Sequence, residues 1–281
     1  LIHVNVVGCA LFAAISGSSA ATVATVGKMS IPELRKRKYP EKILLGSLAG
    51  SGTLGLLIPP SIILIIYGVT VQESIAKLFI AGIIPGIMIA LIFMGYVIIW
   101  SLLNKNKMPL TEENYSFLNK LSKSKQLIPV ILLILGVIGS IYTGIATATE
   151  AASLGVVGAL ILSYFQKSLN IKTFKESLLG ATKTSCMIAF ILAGATFLSL
   201  AMGFTGLPRN LAIWIQNMEL SPYVLIFVLM IFYIILGMFL DGISAVVLTM
   251  AIIEPMIRQA GFDMIWFCLL YTSPSPRDMP R

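Results

Sequence analysis

Apolar residues run through this chain in membrane-length stretches, separated by short polar segments. Runs long enough to span a bilayer recur at about 43–67, 76–103, 127–142, 145–166, 184–206 and 221–240, because a helix needs about 20 apolar residues to cross the hydrocarbon. The stretch before Lys28 is apolar as well, but Ser16-Gly17-Ser18-Ser19 interrupts it. That interruption predicts a re-entrant hairpin rather than a plain span. A second interruption, Gly50-Ser51-Gly52-Thr53-Leu54-Gly55-Leu56-Leu57-Ile58-Pro59-Pro60-Ser61, lies inside the run at 43–67. The pattern predicts an all-α polytopic membrane protein.

The two interruptions carry the functional signal. Hydrocarbon offers no water to backbone N–H and C=O groups, so a broken helix survives there only where protein or an aqueous cavity covers it. Secondary transporters place such breaks near the bilayer midplane and bind substrate and coupling ions at them. Between Ser16 and Thr22, hydroxyls and carbonyls offer oxygen ligands, while an unwound tip presents N–H groups to an anion. A small-residue packing seam is the structural alternative for that segment. In the second segment Pro59 and Pro60 remove two backbone donors and free carbonyls of the preceding turn. Three glycines and Thr53 precede them, and Ser61 follows. That coincidence favours a site over a simple proline kink.

Composition supports the membrane reading. Of 281 residues 57% are hydrophobic and 11% charged, with a mean hydropathy of +0.94. The formal charge of +8 is a matter of topology rather than of nucleic-acid binding. Fifteen of the twenty basic residues fall at 28–42, 104–126 and 167–183. Short basic loops stay cytoplasmic, so the three are expected on one side and 68–77 on the other. Cys9, Cys186 and Cys268 have no redox or metal spacing and read as packing residues. His3 reads as an ordinary polar residue. No metal site and no cofactor other than a sodium coupling ion is expected.

Residues 104–126 form the long polar linker. They divide a first part at 1–103 from a second at 127–271, and 272–281, with three prolines and no packing face, reads as a non-native tail. Carriers are often built as inverted repeats, and residues 46–53 can be laid on 237–244. The match is short and rests on small residues. Asp241 is the most telling charge, since a carboxylate at the bilayer centre costs about 2.5–3.5 kcal/mol on insertion scales and needs a partner or a cavity. The bland reading of Asp241 is an interfacial turn with Gly242. Thr147 and Glu150 have capping-box spacing ahead of an apolar run, which is a structural role, with a place beside a cavity left open.

Taken in order, several segments resemble one family. They are Ser16-Gly17-Ser18-Ser19-Ala20-Ala21-Thr22, Ile31-Pro32-Glu33-Leu34, Gly52-Thr53-x-Gly55 with Ile58-Pro59-Pro60-Ser61-Ile62, and Leu78-Phe79-x-Ala81-Gly82-x-x-Pro85-Gly86. Gly144 to Ala152, Gly237 to Asp241 and Gly261-Phe262-Asp263 complete the set. The chain from about 8 to 268 resembles the large membrane subunit of tripartite ATP-independent periplasmic (TRAP) transporters, whose members are longer at both ends. The resemblance implies an inverted-repeat, elevator-type fold with re-entrant hairpins in the bacterial inner membrane. It implies sodium-driven import of organic anions, a small four-helix membrane subunit and a periplasmic binding protein as partners. By position, Ser16, Ser18, Ser19, Thr22, Ser61 and Asp241 would meet substrate. Ser16, Gly17, Ser18, Gly52, Thr53 and Asp241 would hold sodium. Relatives that carry sialic acid have an acidic residue near Thr22. Its absence here implies a small dicarboxylate cargo.

Three other readings remain. A carrier of the same architecture would work without a periplasmic receptor. An intramembrane enzyme would need a nucleophile–base pair or a carboxylate dyad, which one remote histidine and one interior aspartate do not supply. A scaffold without a transport path is disfavoured by the two broken helices.

Overall fold

The computed structural model describes residues 2–105, 128–206, 210, 211, 213, 221–240 and 242–271. The helices among them are α1 (His3–Ser16), α2 (Ser19–Lys36), α3 (Glu41–Gly52), α4 (Leu54–Leu57), α5 (Ile62–Thr70) and α6 (Ile75–Leu103). They continue with α7 (Ile128–Tyr142), α8 (Ala148–Phe165), α9 (Ile171–Thr205), α10 (Pro222–Gly237), α11 (Gly242–Gln259) and α12 (Met264–Tyr271). Among the described residues five segments are long and apolar enough to cross a membrane by length and composition: Glu41–Thr70, Ile75–Leu103, Ala148–Phe165, Ile171–Thr205 and Gly242–Gln259. The chain is an all-helical polytopic membrane protein. It forms two compact units, one of Leu1–Lys107 with Ala189–Arg281 and one of Met108–Ile188.

In the first unit α1 and α2 make a helical hairpin. Gly8 lies beside Val26, which sets the reversal at Gly17–Ser18. Cys9, Val26 and Leu48 form a buried cluster with Phe12, Val23 and Ile31 against it, joining both arms to α3. Lipid tails are as apolar as leucine, so close packing rather than water exclusion drives such contacts. Small residues provide it: a Cβ on Gly27 would lie 3.0 Å from Leu48 Cδ2.

The run at 43–67 is broken where the prolines require it. The chain leaves helix at Ile58 (φ −73°, ψ 120°) and re-enters it after Ser61 (φ −115°, ψ 133°). A second hairpin follows late in the chain. Tyr233 and Thr249 share a hydrogen bond of 2.7 Å, which pairs α10 with α11 on either side of the turn residues 238–240. At the far end of α11, Tyr67 Oη on α5 donates to the Met264 carbonyl at 2.8 Å, and Arg258 Nη2 donates to the Val71 carbonyl at 3.1 Å.

Several extents differ from the sequence expectations. The apolar runs did not include 242–259, yet α11 occupies it, with Glu254, Pro255 and Arg258 in its last turns. Residues 167–183 were read as a loop, but α9 begins at Ile171, because lysines are good helix formers as well as topology signals. Likewise α2 continues through Pro32 to Lys36. The overlay of 46–53 on 237–244 fails in form. Residues 46–52 are helix, whereas 238–240 belong to a chain reversal.

In the second unit α7 and α8 pair through Gly155 and Gly158, which face Val137 and Leu133. Thr147 opens α8 with a capping box: its Oγ1 accepts from the Glu150 amide at 3.3 Å, and the Glu150 carboxylate accepts from the Thr147 amide at 2.8 Å. The linker at 106–126 and the tail at 272–281 lie outside the described residues.

Candidate functional site

The first hairpin turns because Gly17 takes a left-handed conformation (φ 59°) and its amide closes α1 on the Ala13 carbonyl. This is the usual way a helix ends in a glycine. Ser18 then caps α2, accepting from the Ala21 amide at 3.5 Å. Thr22 is fully buried and its Oγ1 donates to the Ser18 carbonyl at 2.8 Å. Ser16 Oγ lies 2.8 Å from Thr22 Oγ1 and accepts from the Ser18 amide at 3.4 Å. The tip is thus a hydroxyl-laced turn with no charged residue between Gly8 and Gly27.

This tip is seated on the broken helix. The Ile62 amide donates to the Gly17 carbonyl at 3.3 Å. A Cβ on Gly17 would fall 2.8 Å from the Pro60 carbonyl, and one on Gly55 would meet the Ser18–Ser19 backbone at 2.9–3.0 Å. Gly52 faces Val23 and the Ser19 carbonyl. Predicted site residues Ser16, Gly17, Ser18, Ser19 and Thr22 therefore share one junction with Gly52, Pro60 and Ser61.

Within the break, Pro59 cannot donate to the Gly55 carbonyl, nor Pro60 to that of Leu56. Ser61, fully buried, donates its hydroxyl to the Leu56 carbonyl at 2.6 Å and replaces the lost bond. Thr53, also buried, turns its hydroxyl onto the Gly50 carbonyl at 2.6 Å, within its own helix. Behind the break α6 presents Gly82 and Gly86. Added Cβ atoms there would lie 2.8 Å from the Leu57 carbonyl and 3.0 Å from Ile58 Cγ1. The sequence reading gave these two glycines no site role. Their four-residue spacing, the small-xxx-small pattern of close helix approach, was the available signal.

The second hairpin comes up beside the break. A Cβ on Gly242, at the start of α11, would lie 2.8 Å from Ile63 Cδ1. Asp241 itself lies outside the described residues. Helix ends meet here in both senses: α2 and α5 begin at the junction with the start of α11 against Ile63 beside it, and α1 and α4 end at it. Helix N-termini favour anions and C-termini favour cations. From Ile43 to Gln72 the broken helix has no charged side chain, so backbone and hydroxyl groups set the local field. Thr147 and Glu150 belong to the other unit. Among the described residues no group of His, Cys, Asp or Glu could hold a metal ion.

The profile of the tripartite ATP-independent periplasmic transporter DctM component matches residues 1–273. The chain is 33% identical over 261 residues to the C4-dicarboxylate TRAP transporter large permease protein DctM of Pseudomonas aeruginosa, covering 92% of this chain and 60% of the relative. It is 32% identical over 266 residues to the isethionate TRAP transporter permease protein DctMQ of Oleidesulfovibrio alaskensis, covering 93% and 41%. It is 31% identical over 268 residues to the sialic acid TRAP transporter large permease protein SiaM of Vibrio cholerae, covering 94% and 62%. The chain thus spans at most 62% of the length of these three relatives. Family membership makes it a multi-pass protein of the bacterial inner membrane and sets it among transporter permeases rather than enzymes. With its hairpins, its broken helix and this match over nearly all its length, the chain belongs to the DctM component family of tripartite ATP-independent periplasmic transporters.

Proposed function

We propose that this chain forms the ion- and substrate-binding part of a sodium-coupled permease that imports organic anions handed over by a periplasmic binding protein. The observation that carries the reading is the seating of the first hairpin's tip on the Ile58–Ser61 break, with the start of α11 against Ile63 just beyond it. Such a junction supplies helix N-termini for a carboxylate and C-terminal carbonyls for a cation, in a place where hydrocarbon would otherwise forbid irregular backbone. Ser16, Ser18, Ser19, Thr22, Ser61 and Asp241 would meet the substrate. Carbonyl or hydroxyl oxygens of Ser16, Gly17, Ser18, Gly52 and Thr53, with Asp241, would hold sodium. Substrate and ion would move together on one rigid element, an elevator step.

A small dicarboxylate is the favoured cargo. The hairpin tip carries no acidic residue near Thr22, and one relative is named for C4-dicarboxylates. Other relatives are named for isethionate and sialic acid, so the cargo class rests on the binding protein as well. The small membrane subunit is the second expected partner, and the DctMQ relative carries a joint name.

The test is uptake into proteoliposomes holding the permease and its small subunit, under an inward sodium gradient. Labelled succinate and sialic acid are supplied with and without the cognate binding protein. Uptake that needs both sodium and the binding protein supports the reading. Uptake driven by sodium alone would replace it with a stand-alone carrier. Asp241→Asn is expected to lower sodium-coupled uptake while leaving membrane insertion intact, and wild-type uptake with unchanged sodium dependence would remove Asp241 from the site.

A further inference from the structure

A second polar cluster lies where α1 crosses α3, centred on Asn5 and reaching Ser51, the residue before Gly52 of the junction. Asn5 on α1 is fully buried. Its amide nitrogen donates to the Leu44 carbonyl at 3.2 Å and to Ser47 Oγ at 3.0 Å. Ser47 in turn donates to the Leu44 carbonyl at 3.0 Å, and Ser51 donates to the Ser47 carbonyl at 2.5 Å. Those bonds bridge 39 and 42 residues of sequence.

A count of hydrogens then becomes decisive. A carboxamide has two N–H hydrogens and each serine hydroxyl one, and all four are committed. Lone pairs are left over, and the Asn5 carboxamide oxygen is buried with no hydrogen-bond partner among the described residues. Exchanging the amide's oxygen and nitrogen does not help, since the oxygen would then face the Leu44 carbonyl. A buried acceptor left unpaired costs about 1–3 kcal/mol, and buried polar atoms are almost always matched by protein or by ordered solvent.

We infer that Asn5, Ser47 and Ser51 enclose a binding site for one small species that accepts lone pairs, a sodium ion or a water molecule donating its hydrogens. The free lone pairs belong to carboxamide and hydroxyl oxygens, and the buried Cys9 thiol beside them is engaged with Ser51; such oxygens suit a hard cation and equally suit water as a donor. The site is separate from the hairpin tip. Ser16 is eleven residues further along α1, about 16 Å at 1.5 Å per residue, and the Cys9–Val26–Leu48 cluster is packed between the same helices. Its position matters because α1 and α3 lead directly to the tip and to the break. An occupant there fixes how the hairpin's first arm lies on the broken helix, whatever the junction carries.

The direct test is electron microscopy of the assembled transporter in sodium chloride and again in choline chloride. A density peak beside the Asn5 oxygen in both salts identifies water, and a peak in sodium alone identifies the ion. No peak in either salt overturns the inference. The sodium arm has a second readout. Asn5→Asp adds a charge beside the occupant, so for an ion the half-saturating sodium concentration falls severalfold, whereas for water it stays put. The density is read without any uptake, so loss of this site and failure of the transport reading are separate results.

Discussion

At Gly17 two constraints coincide on one residue. Its φ of 59° lies in the left-handed region, and a side chain there would press on the Pro60 carbonyl at 2.8 Å. The backbone term alone costs an L-residue about 1–2 kcal/mol, and the clash adds to it because a carbonyl in a proline-held turn has little room to give. Gly17→Ala should therefore unseat the tip and lower both thermal stability and uptake. Gly95→Ala in α6 is the matched control, since nothing lies within 4 Å of its added Cβ. It is expected to be neutral or to stabilise by up to about 1 kcal/mol. Equal effects of the two in thermal unfolding would contradict the seated tip. Ser61 offers a second residue-scale test. Ser61→Ala leaves the Leu56 carbonyl unpaired in a dry place, a loss of about 1–3 kcal/mol. Ser61→Cys, which keeps a weak donor, should lose less. If the two variants unfold at the same temperature, the Ser61 hydroxyl is not the replacement for the bond removed by Pro60.

At the scale of elements, helix ends were easier to read than helix contacts. The breaks at Gly17–Ser18 and Ile58–Ser61 were legible because glycine, serine and proline act on the backbone within one or two residues. Thr147 and Glu150 were legible for the same reason, and the box they form in α8 leads to a local prediction. Thr147→Ala should cost about 1 kcal/mol of helix stability, seen as a lower unfolding temperature, with sodium dependence of uptake unchanged. A shifted sodium dependence at unchanged stability would give Thr147 a place beside a cavity instead. What the sequence hid is tertiary or ambiguous in charge. α11 was missed because Glu254 and Arg258 lower its hydropathy, although they pair with each other at 2.9 Å along one helix face. The start of α9 was missed because Lys172, Lys175 and Lys183 satisfy a basic loop as well as a helix end. The seating of the tip on the break depends on Gly55, Gly82 and Gly86 lacking side chains, and a missing Cβ leaves no trace in a hydropathy pattern.

For the whole molecule the decisive quantity is which ends of the helices face the cytoplasm. Arg35, Lys36, Arg37 and Lys38 lie in the last turn of α2 and just beyond it, at the end of the first hairpin away from its tip. The turn between α5 and α6 lies at the other end of the broken helix, and holds Glu73 and no lysine or arginine between Val71 and Ser74. Basic residues stay on the cytoplasmic side, so the first hairpin is predicted to open inward and the α5–α6 turn to face outward. The tip between them is then at mid-depth: α2 from Ser19 to Lys36 is 18 residues, about 27 Å at 1.5 Å per residue, enough to descend from an interface into the hydrocarbon and leave its last turn in water. Single cysteines test the arrangement against a membrane-impermeant thiol reagent, in a background where exposed Cys186 is serine and buried Cys9 and Cys268 are kept. Gln72→Cys should react in intact cells stripped of their outer membrane, and Lys38→Cys only after the inner membrane is opened. The reverse pattern would invert the topology and put the junction's anion-facing side toward the cytoplasm. Reaction of both in intact cells would mean that Glu41–Thr70 does not cross the bilayer, which would remove the midplane cavity on which the proposed transport depends.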